Sequence, residues 1–218
     1  MRTLLLCTLL LVTPACAQDT HPVTKRPIAG VMGMGGADWL TRPERAQEEQ
    51  PEKALDALAI EPGSVVGDVG AGVGYFTEKL ARRVGPNGKV YANDIQPEML
   101  VQLRKNMAKL GIGNVQTVVG AEDDPHLPAN TLDLILLVDV YHEFSRPQAM
   151  LRHMRESLKP GGRLVLLEYR KEDPNVPIRE EHKMTVKQVR SELEPEGFRF
   201  DKVIETLPQQ HILIFRTR

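Results

Sequence analysis

The chain has 218 residues, of which 41% are hydrophobic and only 5% aromatic, a composition that suits one α/β domain with a sizeable core and a short additional segment. Lys and Arg total 28 against 29 Asp and Glu, so the formal net charge is -1, and no long block of one sign is available to follow a phosphate backbone. Nucleic acid is therefore not an expected partner.

The first residues have the pattern of a signal peptide. Arg2 precedes an apolar run over residues 4–12, and residues 15–17 have the small-x-small sequence of a cleavage site. The run has about half of the roughly 20 residues that a membrane-spanning helix needs, so no stable membrane span is expected. The sequence predicts a signal peptide over residues 1–17 and export to the periplasm or the medium.

Two alternatives to a cleaved leader remain open. One is a lipoprotein modified at Cys16, although residues 13–14 are Thr-Pro where such a signal usually has Leu and a small residue. The other is a true start at Met32 or Met34, which would make the protein cytoplasmic. Both cysteines lie within the leader, so cleavage would leave no thiol for a disulfide, a nucleophile or a thiolate metal site.

Residues 18–50 are predicted to form an arm or lid in front of a domain at residues 51–218. The stretch is rich in Pro, Gly and charge, so little regular structure is expected before Thr41. Trp39, the only tryptophan, could cover a ligand or pin the arm to the core. Pinning is the commoner use of a lone aromatic residue and is the favoured interpretation.

From Pro51 onwards, strand and helix patterns alternate, which predicts a parallel sheet with helices on both faces. Two strand-like runs joined by a turn near Pro208 predict an antiparallel hairpin at the sheet edge. The predicted fold is α/β, with a Rossmann-like, mostly parallel seven-stranded sheet. Strands are expected at residues 64–69, 89–95, 115–119, 132–140, 163–168, 198–205 and 211–216, and helices at 74–84, 97–110 and 147–158.

A glycine-rich loop lies where the first strand turns into a helix. It contains three glycines at alternate positions, Gly70, Gly72 and Gly74, and Asp68 lies two positions before the first of them. Glycine lets the backbone approach a ligand closely, and a helix N-terminus supplies unpaired N–H groups. A dinucleotide site needs Gly-x-Gly-x-x-Gly, which would require glycine at Tyr75, so a dinucleotide oxidoreductase is disfavoured.

At this loop the sequence resembles the class I S-adenosylmethionine-dependent methyltransferases, whose first motif is an acidic residue followed by Gly-x-Gly-x-Gly. The resemblance implies that S-adenosylmethionine is the cofactor. It also implies that Asp68 accepts hydrogen bonds near the ammonium group of that cofactor, directly or through water. The loop residues that would hold the methionine part are Gly70, Ala71, Gly72 and Gly74.

Asp94 ends the second strand, about 20 residues beyond the glycine loop. An acidic side chain at this strand end can accept hydrogen bonds from both ribose hydroxyls, and the resembled family uses the position in this way. Capping of the helix that begins near Pro97 is the alternative. We favour the ribose contact because of the spacing, and Ile95 is included in the predicted cofactor site.

The third strand is followed by acidic residues where the resembled family builds its adenine pocket. Ala121 and Glu122 are assigned to adenine, although the order Gly-Ala-Glu departs from the usual Gly-Asp-Ala of that family. Asp123 and Asp124 are adjacent carboxylates without a spaced set of partner ligands, so no metal site is predicted.

The fourth strand leads into Asp139 and His142 at its carboxyl end, the edge that faces the ligand crevice in a parallel sheet. Asp139 is included in the cofactor site. His142 is the candidate general base for an acceptor that must lose a proton, and a hydrogen bond to a neighbouring loop is the open alternative. His182 follows the fifth strand and is expected in a charged surface loop, with a second base or a substrate contact as the alternatives. The resemblance spans about residues 50–170.

The resemblance implies a methyltransferase in which the donor carries the activation and the protein mainly positions an acceptor in line with the methyl group. The absence of a separate recognition domain favours a small-molecule acceptor over a macromolecule. The alternative is a non-catalytic protein that keeps the fold and binds the adenosyl ligand, because export would separate the protein from a cofactor made in the cytoplasm. The sequence predicts neither the acceptor nor the oligomeric state.

Overall fold

The computed structural model describes residues 19–217, and the predicted signal peptide and Cys16 lie outside them. Within this part of the chain, eight strands form one sheet. The strands are β1 (Val65–Val69), β2 (Lys89–Asp94), β3 (Val115–Val119), β4 (Leu132–Val138), β5 (Leu158–Arg170), β6 (Lys183–Met184), β7 (Phe198–Ile204) and β8 (Gln210–Thr217).

The sheet confirms the predicted fold class. Seven strands follow the order β3-β2-β1-β4-β5-β8-β7, and strands β1 to β5 pair in parallel. Strand β8 runs antiparallel between β5 and β7, as the predicted hairpin requires. The predicted number of strands, seven, omits β6. This two-residue strand pairs with the end of β5 and is too short to have an apolar pattern of its own.

Strand β5 begins earlier than predicted. The sequence placed its start at Arg163, but pairing with β4 already begins at Leu158, opposite Leu132. A register irregularity between Leu132 and Leu134 accommodates the intervening Lys-Pro-Gly-Gly segment within the strand. Bulges of this kind add residues to one strand without ending it. The Pro-Gly-Gly residues therefore did not mark the start of β5, although they are typical of turns.

Seven helices flank the sheet in the described part of the chain. Proline occupies the first turn of three of them, where its missing N–H costs no helical hydrogen bond. Among residues 19–217, no helix has both the length and the apolar composition needed to cross a membrane. The helices are α1 (Ala37–Leu40), α2 (Arg45–Glu49), α3 (Pro51–Ala57), α4 (Tyr75–Val84), α5 (Pro97–Lys109), α6 (Pro147–Ser157) and α7 (Val186–Leu193).

Side chains of β4 pack into separate cores on the two faces of the sheet. Ile135 and Leu137 belong to the core beneath α6 and α7, whereas Leu134 and Leu136 belong to the core beneath α3 and α4. Successive strand residues point to opposite faces, so a strand covered on both sides needs a continuous apolar run. Truncating one of these buried leucines to alanine should cost about 2–5 kcal/mol. This rigid centre fixes the carboxyl ends of β4 and β5.

The arm packs across that end of the sheet and contains more regular structure than predicted. Helix α1 and a preceding 3₁₀ turn lie before Thr41. Arg26 forms a buried ion pair with Glu192 of α7, with Nε and Oε1 3.0 Å apart. The carbonyl of His142 accepts hydrogen bonds from Arg26 Nη1 at 2.9 Å and from the backbone N–H of Ala29 at 3.1 Å. The arm is thereby fastened to the chain that leaves β4.

Candidate active site

Two adjoining cavities lie between the arm and the carboxyl ends of the strands. The first cavity has a volume of 420 Å³ and the second 340 Å³. Both volumes fall within the range of about 300–1,000 Å³ that is usual for small-molecule sites. The residues that line both cavities are Val31, Gly70, Asp94 and Glu143.

The glycine loop forms the wall between the sheet and the first cavity. Gly70 has φ +76°, and a Cβ atom at this position would lie 2.5 Å from Cγ2 of Val140. The backbone N–H groups of Gly70 and Ala71 both donate to the carbonyl of Asn93, each over 2.9 Å. Gly72 also has a positive φ and lines the first cavity. The loop therefore needs glycine for its conformation and for its close packing, in addition to any ligand contact.

Asp94 lies at the junction of the two cavities. Its Oδ2 accepts from the backbone N–H of Gly72 at 2.8 Å, and its Oδ1 accepts from the N–H of Gln96 at 2.9 Å. Burial raises the pKa of the Asp94 carboxyl, although these backbone donors oppose the shift. The carboxylate is thus held rigidly between the glycine loop and the start of α5, where it can accept hydrogen bonds from a ligand that extends through both cavities.

Asp68 is placed differently from Asp94. Its side chain is buried beneath the loop, lines neither cavity, and accepts a hydrogen bond from Thr77 Oγ1 at 2.5 Å. Burial raises the pKa of Asp68 to about 6. Ala71 and Gly74 are likewise absent from the cavity walls. Asp68 therefore supports the loop from behind, and Ala71 and Gly74 are loop residues that face neither cavity.

The remaining predicted residues do line the cavities. The first cavity brings together Gly70, Gly72, Asp94, Asp139 and His142. The second cavity brings together Ile95, Ala121 and Glu122 with Gly70 and Asp94. Within the second cavity, the N–H of Ala121 is satisfied by the carbonyl of Asp124 at 2.7 Å, and Glu122 accepts from Ser145 Oγ at 3.2 Å.

Asp139 offers an unsatisfied acceptor at the first cavity. Its backbone is left-handed, with φ +50°, and its Oδ2 accepts from the side-chain amide of Gln210 at 2.7 Å. Its Oδ1 is buried and finds no hydrogen-bond donor among residues 19–217. Burial and the nearby carboxylates of Glu49 and Glu168 raise the pKa of Asp139 well above its usual value. An unpaired buried acceptor is costly, so this atom is a candidate to accept a hydrogen bond from a ligand or from water.

His142 is held in one orientation by Glu168. Both side chains are buried, and His142 Nδ1 lies 2.6 Å from Glu168 Oε2. The other oxygen of Glu168 accepts from the backbone N–H of Tyr141 at 3.0 Å. An ionised Glu168 can only accept, so we infer that Nδ1 of His142 carries the hydrogen and that Nε2 presents a lone pair.

Glu168 is a site residue that sequence reasoning missed. It lies near the end of β5, and the parallel pairing of β4 with β5 brings it beside the chain that follows β4. The sequence does contain one signal for Glu168, which is a glutamate within an otherwise apolar strand segment. Such a carboxylate is expected to be buried and therefore to need a partner. The partner lies 26 residues away in the sequence, beyond the reach of any local pattern.

His182 was expected in a charged surface loop, and this expectation was wrong. It lies in a 3₁₀ helix at Glu180–His182, is half-buried, and lines the first cavity. Its Nδ1 is 3.1 Å from Nε2 of His142. Burial, with a smaller contribution from His142, lowers the pKa of His182. The loop after β5 folds back over the site because β6 pairs with the end of β5.

Glu143 completes a set of groups that could hold a metal ion. One ligand atom each from His142, Glu143 and His182 lies within 4.8 Å of the others. Burial raises the pKa of Glu143 to about 7. All three side chains line the first cavity.

Trp39 covers the first cavity instead of pinning the arm. Its side chain lines the cavity and remains 41% exposed, which is too much for an anchor buried in the core. The guanidinium carbon of Arg42 lies 3.7 Å from the centroid of its ring. The favoured interpretation of this residue was therefore wrong, and the anchoring role belongs to Arg26.

Comparisons with known proteins agree with this geometry. A family model described as "Methyltransferase domain" matches residues 66–162. Over 118 residues the chain is 36% identical to the ubiquinone/menaquinone biosynthesis C-methyltransferase of Pasteurella multocida, a match that covers 54% of this chain and 44% of that protein. The corresponding protein of Escherichia fergusonii is also 36% identical, with 54% and 47% covered. The chain thus spans about half the length of these curated relatives.

Solved structures extend the similarity over most of the chain. The crystal structure of a SAM dependent methyltransferase from Aquifex aeolicus superimposes with a TM-score of 0.81 at 30% identity, covering 86% of this chain and all, 100%, of that one. A putative type 11 methyltransferase from Sulfolobus solfataricus gives a TM-score of 0.64 at 22% identity, covering 78% and 94%. The second likeness concerns the fold alone.

Proposed function

Because this chain belongs to the S-adenosylmethionine-dependent methyltransferase family and uses S-adenosylmethionine as its methyl donor, we propose that it methylates a small-molecule acceptor by direct displacement in the first cavity. The observation that carries this proposal is the oriented imidazole of His142, which lines that cavity beside the glycine loop. Donor and acceptor can therefore be held together in one space bordered by the arm.

The described residues fit the donor. When bound, S-adenosylmethionine supplies a methyl group already activated by a sulfonium. We place its methionine part along Gly70 and Gly72, and its ammonium group is a suitable donor to the unpaired Oδ1 of Asp139. Asp94, at the junction of the cavities, would accept from the ribose hydroxyls. The position of Asp68 behind the loop favours a contact through water over a direct one.

The second cavity would then hold the adenine ring. Ala121 and Glu122, the residues assigned to adenine from the sequence, line this cavity together with Ile95. The exocyclic amine of adenine donates hydrogen bonds, so the carboxylate of Glu122 is the candidate partner for it, whereas the N–H of Ala121 already donates to the carbonyl of Asp124. This placement leaves the wall formed by His142, Tyr169 and His182 for the acceptor.

A small acceptor fits the enclosure better than a macromolecule does. The arm contributes Met32, Trp39 and Leu40 to the wall of the first cavity, so a folded protein or an RNA helix would have to displace it. The relatives from Pasteurella multocida and Escherichia fergusonii are named for C-methylation in quinone biosynthesis. Their names support a quinone-type ring as the class of acceptor for this chain.

His142 remains the proposed proton acceptor for an acceptor of this class. The acceptor's oxygen or ring carbon would form a bond to the methyl carbon while the carbon–sulfur bond breaks and its electron pair stays on sulfur. The proton that the acceptor loses would move to Nε2 of His142, whose imidazolium would be stabilised by Glu168. General-base assistance of this kind contributes about 10²–10⁴-fold to a rate.

The test is a transfer assay with methyl-labelled S-adenosylmethionine and separated small-molecule, protein and RNA fractions of a cell extract. We expect label in the small-molecule fraction, and we expect Asp94→Ala to abolish both donor binding and labelling. Label confined to protein or RNA would overturn the small-molecule proposal. Donor binding without any transfer would favour the alternative, a non-catalytic protein that binds the adenosyl ligand.

We also propose that the protein is exported behind the leader at residues 1–17, on the sequence pattern given above. Expression of the full chain with a C-terminal tag, followed by fractionation and mass determination, tests this proposal. A periplasmic product that begins at Gln18 is expected. A membrane-bound product lipidated at Cys16, or a full-length cytoplasmic product, would contradict it.

A further inference from the structure

Three ligand-type side chains converge on the first cavity from two separate segments. His142 and Glu143 belong to the turn after β4, and His182 precedes β6. Nε2 of His142 and Nδ1 of His182 are 3.1 Å apart, and a carboxylate oxygen of Glu143 completes a group within 4.8 Å. We propose that His142, Glu143 and His182 bind a divalent transition-metal cation whose remaining coordination positions open into the first cavity.

The contact between Glu168 and His142 supports this assignment independently. Histidines that bind metals usually donate their other ring N–H to a carboxylate, which fixes the tautomer and increases the basicity of the ligating nitrogen. Glu168 occupies that position, fully buried and 2.6 Å from Nδ1 of His142. The result is a lone pair on Nε2 directed at His182, where a cation could be shared by both rings.

The electrostatics of the cluster also favour a cation. The groups acting on the Glu143 carboxylate are His142, Glu168 and Asp94, together with the backbone N–H of Met32. Arg179, an exposed residue of the cavity wall, acts on His182 from the same side. One carboxylate and two imidazoles face the same point, and a bound cation would offset the cost of burying the negative charge of Glu143.

The donor set selects the class of ion. Two imidazole nitrogens and one carboxylate suit Zn²⁺, Fe²⁺ and the other divalent first-row metals, whereas Mg²⁺ and Ca²⁺ prefer oxygen ligands. Nitrogen ligands lie about 2.0–2.1 Å from Zn²⁺, so two of them 3.1 Å apart can share one ion. Three protein ligands with an open position are typical of catalytic sites, in contrast to closed structural sites.

The consequence for catalysis rests on the proposed function. An acceptor hydroxyl bound to the cation would have its pKa lowered, and it would ionise without a protein base. Ligation of the ion and acceptance of a proton use the same Nε2 lone pair, so His142 has one of these roles in a given molecule. Where the ion is bound, His142 is a ligand, and the positive charge replaces general-base assistance.

The test is calorimetric titration of the full chain, freed of metal by chelation, with Zn²⁺, with Fe²⁺ under anaerobic conditions, and with Mg²⁺. We expect one equivalent of Zn²⁺ or Fe²⁺ to bind and Mg²⁺ not to bind. Glu143→Gln and His182→Gln should weaken binding at least tenfold, and Glu168→Gln should weaken it by about 10- to 100-fold. His153→Gln, which changes an exposed histidine of α6, is the matched control and should bind like the wild type.

Absence of Zn²⁺ and Fe²⁺ binding by the folded wild type would overturn the inference, as would equal binding by Glu143→Gln, His182→Gln and the control. Circular dichroism of each variant separates loss of a ligand from loss of the fold. The titration needs neither methyl donor nor acceptor, so its result is independent of the transfer assay. Full methyl transfer by a metal-free protein that binds no ion would leave the proposed function intact and His142 as the base.

Discussion

Glu168 of β5 and His142 beyond the end of β4 form a buried contact of 2.6 Å, with side chains 0% and 2% exposed. Two neighbouring parallel strands bring the pair together. A charged group buried to this degree is tolerated only when it is paired and hydrogen-bonded, and Glu168 meets that condition through His142 and the N–H of Tyr141. The pair thus links the packing of the sheet to the chemistry of the first cavity.

Replacing Glu168 with glutamine should impair catalysis far more than donor binding. A glutamine can present its amide N–H₂ to Nδ1 of His142, which would favour the tautomer with hydrogen on Nε2 and remove the lone pair from the cavity. By analogy with an orienting carboxylate in a protease triad, kcat should fall by about 10²–10⁴-fold. Transfer kinetics and donor titration check this. A variant with the wild-type kcat would contradict the role of Glu168, and Glu156→Gln on the surface of α6 is the control.

Gly70→Ala should destabilise the protein and abolish donor binding. The new Cβ would lie 2.5 Å from Val140 in a backbone with φ +76°. Gly63→Ala is a matched control, because its φ is +87° and nothing lies within 4 Å of the added atom. The free energy of unfolding should fall by only about 1 kcal/mol in Gly63→Ala, because of its left-handed backbone. In Gly70→Ala it should fall by about 1–3 kcal/mol more, because of overpacking.

Denaturant titration of both variants, with donor titration beside it, measures the two effects separately. Adding Val140→Ala to Gly70→Ala should restore part of the lost stability, since it removes Cγ2 and Cγ1 of Val140, which lie 2.5 and 3.1 Å from the new Cβ, and leaves only Cβ of residue 140 at 2.9 Å. Equal destabilisation by Gly63→Ala and Gly70→Ala would show that backbone strain alone is responsible.

Asp68 should make the fold less stable as pH rises from about 4 to 6. Burial raises its pKa from 3.8 to about 6, so within this window the folded state holds a proton that the unfolded state has released. Stability therefore falls as pH increases, by about 3 kcal/mol in total for this group. Asp68→Asn should remove this dependence, and the stability difference between variant and wild type should grow between pH 4 and 6.

Asp133 provides a control of opposite sign. Burial raises its pKa, but the hydrogen bonds from Lys159 and the N–H of Val65 outweigh burial and lower the pKa below its usual value. Asp133 therefore contributes stability above pH 4 that is lost as pH falls. Urea unfolding of both asparagine variants at several pH values checks the two slopes. Parallel pH profiles for wild type and Asp68→Asn would contradict the raised pKa.

Arg26→Ala should release the arm. Removing Arg26 leaves the buried carboxylate of Glu192 without its guanidinium partner, and breaking a buried pair typically costs about 3–5 kcal/mol. The arm should become sensitive to proteolysis between residues 30 and 50 in the native state. Arg82→Ala removes an exposed pair with Glu78 and should leave the digestion rate unchanged. An equally resistant arm in Arg26→Ala would contradict the anchoring role.

The alternation of strands and helices sufficed to predict the sheet because each element carries its own local pattern. Asp94 could be found from its distance to the glycine loop, since both lie at the ends of adjacent parallel strands. Neither Glu168 nor the contact between His182 and His142 could be found in this way. Their relation to His142 depends on strand pairing and on the return of a loop, at separations of 26 and 40 residues.

The arm was also beyond local reasoning. Its residues 19–50 show no apolar periodicity, yet Arg26 reaches Glu192 across 166 residues of sequence. The prediction that Trp39 pins the arm to the core was wrong. It rested on what lone aromatic residues usually do, and that does not show which side chain of this arm is the anchor. Here the anchor is an ion pair, which leaves the indole at the mouth of the cavity.

The hydrogen bonds that hold the arm to the carbonyl of His142 have a consequence for the rate of turnover. Val31 lies against both cavities, so we expect the arm to move when the spent cofactor and the methylated product leave. We expect that movement to break the hydrogen bonds from Arg26 and Ala29 in each cycle. Steady-state rates should consequently respond to solvent viscosity, and a rapid first turnover should precede slower later ones.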